Sequence, residues 1–143
     1  MIEIKKIEAS ETFPIRLEVL RKNIPLPFEF NGDFDKDTFH LGAFKDGKLI
    51  AVSSFMKASN THFKGEQYQL RGMATLEEFQ GVGAGKLMMQ KAFELLKELN
   101  TTCLWCNARV IAVPFYEKQG METFGEKFDI KHVGNHFVMF KYL

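Results

Sequence analysis

This chain lacks most of the features that would mark it for a specialised environment. It has two cysteines, Cys103 and Cys106, within "TTCLWCNARV". That is too few for a disulfide framework, and a zinc site needs four ligands where no second Cys/His pair lies nearby. No metal is expected. Residues three apart on a strand point to opposite faces, so a redox pair is disfavoured and two half-buried thiols are expected. No apolar run approaches the ~20 residues of a membrane span. The start, "MIEIKKIEAS", has no apolar h-region of a signal peptide. Both absences point to a cytoplasmic protein with no membrane partner. A formal charge of +1 leaves no electrostatic footprint for nucleic acid. One Trp and three Tyr against 15 Phe suit a Phe-filled core better than an aromatic binding platform.

What is present is ordinary in bulk. With 143 residues, 45% hydrophobic and 26% charged, the chain reads as one domain over 1–143, burying roughly two thirds of its unfolded surface. It has no internal repeats, linkers or low-complexity segments. "IEIKKI" alternates and reads as a strand. "SETFPIRLEVLRKN" reads as a helix with Ser10 as N-cap, Pro14 in the first turn, and Phe13, Leu17 and Leu20 on its apolar side. Residues 24–38 break into a Pro- and Asp-rich loop, acidic at one end and apolar at the other. "FHLGAFKDGKLIAVSSFMKA" reads as two strands about the Asp46-Gly47 turn. A strand ending at Leu76 follows, then a helix whose apolar stripe is Met88, Ala92, Leu95, Leu96 and Leu99. "TCLWCNARV" is a strand, "AVPFYEKQG" a short helix stopping at Gly120, and "METFGEKF" and "HFVMFKYL" are closing strands. The order β-α-β-β-β-α-β-α-β-β predicts a mixed sheet in the α/β class. An antiparallel meander precedes one β-α-β crossover.

The stretch "EEFQGVGAGK" carries the chemistry. Gly81, Gly83 and Gly85 stand at a helix entrance, although glycine costs about 1 kcal/mol relative to alanine inside a helix. A P-loop needs G-x-x-x-x-G-K-[ST], and here Leu87 follows Lys86, so the magnesium-binding hydroxyl is missing. A dinucleotide fingerprint needs G-x-G-x-x-G in the first βαβ unit of a parallel sheet, whereas this is G-x-G-x-G after a meander. Two readings remain. One is a phosphate cradle, with N–H groups from Gly81 to Lys86 facing an anion at a helix N-terminus. The other is a turn that lets the helix pack closely on the sheet.

Gln80-Gly81-Val82-Gly83-Ala84-Gly85 resembles the Q/R-x-x-G-x-G/A motif of the GNAT superfamily, the acyl-CoA-dependent N-acyltransferases. Further along, "NARVIAVPFYEKQGM" resembles that family's segment of strand, helix and F-Y-x-x-x-G-F. Asn107, Phe115, Tyr116 and Gly120 stand at the matching positions, with Met121 for the usual Phe. The resemblance runs from Ile2 to Leu143. It implies a mostly antiparallel sheet of about seven strands flanked by helices, with a central parallel pair that splays apart, here Tyr68–Leu76 and Cys103–Arg109.

By the same resemblance, acetyl-CoA would lie in that wedge. Met73, Ala74 and Thr75 would meet the pantetheine arm as an added strand. Gln80, Gly81, Val82, Gly83, Ala84, Gly85 and Lys86 would hold the pyrophosphate, with Asn107 and Phe115 completing the cofactor contacts. Lys118 is a further candidate for the phosphates. Tyr116 would act as general acid toward the departing thiolate. A phenol near pKa 10 can protonate a thiolate whose acid lies at about 8.5.

Many relatives carry a Glu base on the strand before the glycine loop. Here that strand offers only Glu66 at its start, and His40, His132 and His136 are alternatives. Arg71 and Arg109 could select a carboxylate-bearing acceptor or simply pair with Glu77 or Glu78. The acidic end of the 24–38 loop would instead suit a cationic acceptor. The function implied is N-acetyltransfer to an amine of a small molecule or peptide by direct attack in a ternary complex, by a monomer or homodimer. A CoA-binding sensor without turnover is the alternative, and a nucleotide-binding domain a distant third.

Overall fold

The computed structural model describes residues 1–143. Its strands are β1 (Ile2–Ile7), β2 (Phe39–Lys45), β3 (Lys48–Lys57), β4 (Gln67–Thr75), β5 (Cys103–Arg109), β6 (Glu122–Ile130) and β7 (Gly134–Tyr142). They form one sheet in the order β1-β2-β3-β4-β5-β7-β6. Every pairing is antiparallel except β4–β5. The helices are α1 (Ala9–Ile15), α2 (Ala84–Glu98) and α3 (Val113–Lys118), so the element order is the one the sequence predicts. Asp46 (φ +50°) and Gly47 (φ +80°) make the β2–β3 turn with the left-handed torsions that such a hairpin requires.

The sheet is covered on both faces. Ala51 belongs to the large apolar cluster under α2, while its neighbour Val52 packs with Ile15 of α1. Strand alternation therefore places α1 and α2 on opposite sides. On α2 the buried residues are Ala84, Met88, Met89, Ala92 and Leu96. Met89 joins the expected stripe, Leu95 is half-buried, and Leu99 is exposed because it caps the helix end. Each fully buried Met or Leu here contributes roughly 1.5–3 kcal/mol.

The first helix departs from expectation. Its N-cap is Glu8 rather than Ser10, because the Glu11 carboxylate accepts the Glu8 N–H at 2.9 Å and so starts the helix earlier. Pro14 consequently lies inside the helix instead of its first turn. It leaves the carbonyl one turn back without a helical donor, and the chain widens into a π turn over Arg16–Leu20. The core face is not Phe13, Leu17 and Leu20. Ala9, Thr12, Ile15 and Arg16 are buried and Leu17 is exposed.

An arginine can face the interior there because its charge is paired and both terminal nitrogens are hydrogen-bonded, Nε alone lacking a partner. Arg16 is fully buried and meets Asp33 through two bonds of 2.8 and 2.9 Å. Its other bonds go to the Phe28 carbonyl at 2.9 Å and to Ser54 Oγ at 2.8 Å. Ser54 lies 2.7 Å from His40 Nδ1, and His40 Nε2 lies 2.9 Å from the Asp33 carbonyl. Since a carbonyl only accepts, Nε2 carries a proton, and in the neutral ring Nδ1 then accepts from the serine hydroxyl. This network ties the 24–38 loop to α1 and β3. Burial works to raise the Asp33 pKa, but hydrogen bonds from Arg16 and the Phe30 N–H outweigh it and hold the carboxyl below its ordinary value.

Replacing Asp33 by Asn strands a buried cation and should destabilise the fold by about 3–5 kcal/mol at neutral pH in urea denaturation. Because the folded-state pKa is depressed, that stabilisation is complete above the unfolded value near 3.9 and is lost as pH falls through the folded value. The gap between wild type and Asp33→Asn should therefore narrow on acidification below about pH 4. A gap that stays constant with pH would show that the ion pair does not contribute.

Candidate active site

The site is a defect in the sheet. β4 and β5 pair in parallel only from Gln67↔Cys103 to Leu70↔Cys106. Beyond that point β4 stays with β3, and β5 stays with β7 as far as Arg109↔His136. The cause is a bulge in β4. Its register against β3 jumps from Ser54↔Arg71 to Val52↔Ala74, so Gly72 and Met73 together face the single residue Ser53. Gly72 has φ +64°, the left-handed position where glycine initiates such a bulge. A Cβ on Gly72 would lie 2.9 Å from the Phe30 ring and 3.1 Å from Arg16 Nε, so no side chain fits. From Gly72 to Thr75, β4 keeps one edge of backbone N–H and C=O groups without a strand partner, as does the facing end of β5.

A cavity of about 1030 Å³ fills this wedge. From β4 it is lined by Arg71, Met73, Ala74 and Thr75, and from β5 by Asn107 and Arg109. The glycine loop contributes Gln80, Gly81, Gly83, Ala84, Gly85 and Lys86. Phe115, Tyr116 and Lys118 come from α3, and His136 from β7. The cofactor-contact candidates thus converge, with one exception: Val82 is outside the wall and 41% exposed. Gln80 turns its amide back toward the Thr75 carbonyl at 3.4 Å, closing the strand end onto the loop.

The loop offers backbone without obstruction. Gly81 (φ +83°) and Gly83 (φ +93°) are left-handed, and a Cβ on either would meet nothing within 4 Å. Gly83 is the N-cap of α2 and supplies no side-chain cap. A 15-residue helix therefore begins with unsatisfied N–H groups and the positive end of its dipole at the cavity. The anion-cradle reading fits this geometry. At Gly85 the packing reading also holds, since a Cβ there would lie 3.0 Å from the Phe115 ring.

The two sides of the gap differ in chemistry. Tyr116 shares the α2-side cluster with Cys106 and Ala108. It is 7% exposed, and its hydroxyl is not among the sealed, unpartnered polar atoms, which are Arg16 Nε and Thr101 Oγ1. Burial, and beyond it the adjacent Cys106, push its pKa well above the ordinary value of 10. The phenol is therefore held protonated. On the opposite face stand Asn107 and Arg109, which alternate with Cys106 and Ala108 along β5, and His136, which lies directly across from Arg109. His136 is buried, and its Nδ1 donates to the Gly134 carbonyl at 2.7 Å. A neutral ring so held has its lone pair on Nε2.

The other base candidates are elsewhere. Glu66 is exposed 3.6 Å from Lys57, His132 lies in the β6–β7 turn, and His40 is held between Ser54 and Asp33. Neither Arg71 nor Arg109 pairs with Glu77 or Glu78, or with any other carboxylate.

Sequence reasoning missed Arg21, Phe30 and Gln69, which also line the cavity. Arg21 stands at the polar end of the stretch read as the first helix, Phe30 in the loop after it and Gln69 on a strand, and no motif marks any of the three. The cysteines need correction as well. Both are buried rather than half-buried, Cys103 beside Phe63 and Trp105, and Cys106 under α2. No group of three or more His, Cys, Asp or Glu side chains stands close enough to hold a metal.

Comparison with known proteins agrees with this geometry. A family model described as the Acetyltransferase (GNAT) family matches residues 3–121. An uncharacterized N-acetyltransferase of Bacillus subtilis (strain 168), YitI, is 39% identical over 145 residues, covering 100% of this chain and 97% of that one. Among solved structures, Escherichia coli ElaA superposes with TM-score 0.82 at 20% identity, covering 99% of both chains. The ribosomal-protein-S18-alanine N-acetyltransferase of Escherichia coli gives TM-score 0.76 at 15% identity, covering 99% of this chain and 94% of that one.

Burial pushes the Cys106 thiol up to about 12 and raises that of Cys103, the latter partly offset by a hydrogen bond from the Lys141 backbone. Since the thiolate is the reactive form, neither cysteine should react with a disulfide reagent at about pH 8 on the time scale of a free thiol. Both should react after denaturation. A fast native thiol would contradict the packing around β5.

Proposed function

The chain belongs to the GNAT acetyltransferase family, and from that premise we propose that it transfers acetyl from acetyl-CoA to an amine by direct attack in a ternary complex. The observation that carries this reading is the wedge itself. Two strand edges of unpaired backbone run from the bulge at Gly72 toward an uncapped helix start. An extended amide-bearing arm that ends in a diphosphate matches that sequence of partners, amides against the β4 edge and anion against the glycine loop.

When bound there, acetyl-CoA supplies an activated acyl group and a thiolate leaving group. Met73, Ala74, Thr75 and Asn107 would hold the arm, and Gly81 to Lys86 the diphosphate, leaving the bulge region for the acyl end. Tyr116, protonated and uncommitted, would deliver its proton to the sulfur from the α2 side. His136 Nε2 stands on the opposite side, where it would accept the proton that an ammonium must lose before attack. Acid and base on opposite sides of the acyl group suit a one-step displacement. The catalytic unit is proposed to be the whole of 1–143.

A second reading has one supporting observation: β4 presents Gln67, Gln69 and Arg71 and carries no carboxylate between Gln67 and Thr75. A CoA-binding unit without turnover would need none. No helix is long and apolar enough to cross a membrane, which is compatible with a cytoplasmic enzyme.

Acetyl-CoA at about 100 times its Kd should stabilise the protein by about 2.7 kcal/mol, a rise of roughly 5–10 °C in Tm for a chain of this size. Thiol release should follow on adding an amine. Tyr116→Phe should lower kcat by about 100-fold or more with little change in the thermal shift. Full turnover in that variant would remove the acid role. A shift without thiol release from any amine would favour the binding unit.

A further inference from the structure

The acceptor end of the cavity carries cations that the protein itself does not neutralise. Arg71 lies where β4 leaves β5, with its guanidinium 4.3 Å from the centre of the Phe30 ring. Arg21 stands 5.4 Å from the same ring. Arg109 comes from the facing strand, across the gap. The structure gives Arg71 and Arg109 no ion pair, and Arg21 bonds only to the carbonyls of Pro27 and Leu20. Arg16, the other arginine on Phe30 at 3.9 Å, is the contrast, because Asp33 already satisfies it.

The acids of the 24–38 loop do not repair this imbalance. Its apolar end, Leu26, Pro27 and Phe30, faces the cavity, and Asp33 and Asp35 line a separate depression beside Lys6 and Glu8. Glu29 is the one carboxylate on the cavity wall, and it is exposed and in no ion pair. The idea of a cationic acceptor attracted by the loop therefore rests on Glu29 alone, against three arginines on the same wall. Desolvation first lowers the pKa of both Arg21 and Arg71; repulsion adds to it, from Arg71, Arg109 and Arg16 at Arg21 and from Arg16 at Arg71, where Asp33 partly offsets it. Neither guanidinium has a carboxylate within ion-pair distance. The donor's phosphates are a poor candidate, since Arg71 is at the apex of the wedge and the glycine loop begins past Thr75. Four strand residues span roughly 13 Å.

We propose that the acceptor is a primary amine bearing a carboxylate or phosphate group, which Arg71 and Arg109 bind across the gap with Arg21 at the rim. That the ligand is an amine rests on the acetyltransferase reading above; that it is an anion rests on the arginines. Guanidinium groups offer paired donors matched to either oxyanion. Anchoring the anion at Arg71 and Arg109 leaves the amine free to reach the acyl end beside His136, the residue directly across from Arg109.

The test compares matched amines in the thiol-release assay: 4-aminobutyrate against 4-aminobutanamide, and O-phosphoethanolamine against ethanolamine, with putrescine as the dication. The anionic member of at least one pair should exceed its neutral partner tenfold or more in kcat/KM. The pair with the larger ratio distinguishes carboxylate from phosphate. Arg71→Gln should bring that ratio toward one, and Arg71→Lys should keep part of it, while both variants retain the acetyl-CoA thermal shift as proof of folding. Neutral amines or putrescine equalling the anions in both comparisons would overturn the proposal, as would an unchanged ratio in Arg71→Gln. If no amine releases thiol, the acetyltransferase reading fails instead. The anion site is then read by calorimetric titration of 4-aminobutyrate and O-phosphoethanolamine into CoA-saturated protein. Binding that Arg71→Gln abolishes supports it, and absence of binding overturns it.

Discussion

The separation of β4 from β5 is the constraint on which the remaining structure turns, and one glycine produces it. A continuous parallel pair would satisfy its own backbone and leave no wedge. Gly72 at φ +64° inserts an extra residue opposite Ser53, which adds twist to β4 and carries it away from its neighbour. The sheet tolerates the opening because each strand keeps its outer partner. β4 remains on β3 and β5 on β7, so only the inner edges lose hydrogen bonds. Those inner edges are then available to a ligand with amides of its own.

The bulge is held from outside the sheet. Phe30 presses on Gly72 closely enough that a Cβ would collide with it. Phe30 stays there because its own N–H donates to Asp33 at 2.8 Å, and Asp33 is fixed by Arg16. A buried ion pair of this kind contributes less to net stability than its Coulomb energy suggests, since both charges are desolvated. What it adds is a single arrangement. It pins a loop without secondary structure onto the one position in β4 that has no side chain. The interior Pro14 and the π turn after it belong to the same device, because they bring Arg16 to the inward face of α1.

Alternation and turn chemistry made most of the sheet legible in the sequence. Asp46-Gly47 located the hairpin, and the β-α-β order implied the lone parallel pair. The glycine loop was legible because three glycines in five residues oppose helix propensity so strongly. α1 was misjudged for a physical reason. Its buried polar residue depends on Asp33 and Ser54, 17 and 38 residues away, and no local periodicity encodes such a partner. Phe30 and Arg21 escaped for the same reason, as parts of a loop and a widened turn. Val82 stands in the middle of the glycine motif, yet its side chain points away from the cavity wall. In a backbone cradle the residue between the glycines contributes N–H and C=O groups, not its side chain.

The wedge is electropositive at both ends, by different means that follow from the fold. At the loop end the positive potential comes from helix N–H groups and Lys86, a diffuse field suited to a diphosphate. At the apex it comes from guanidinium groups gathered around an aromatic ring, which excludes water and lowers the local dielectric. Charges in such surroundings interact more strongly, whether in repulsion or with a counter-ion. The Arg16–Asp33 pair decides which of these holds. By engaging the Asp33 carboxylate it leaves Arg71 without an ion pair of its own, and by fixing Phe30 it keeps Arg71 desolvated. The interaction that organises the fold thus also prepares the acceptor end for an anion.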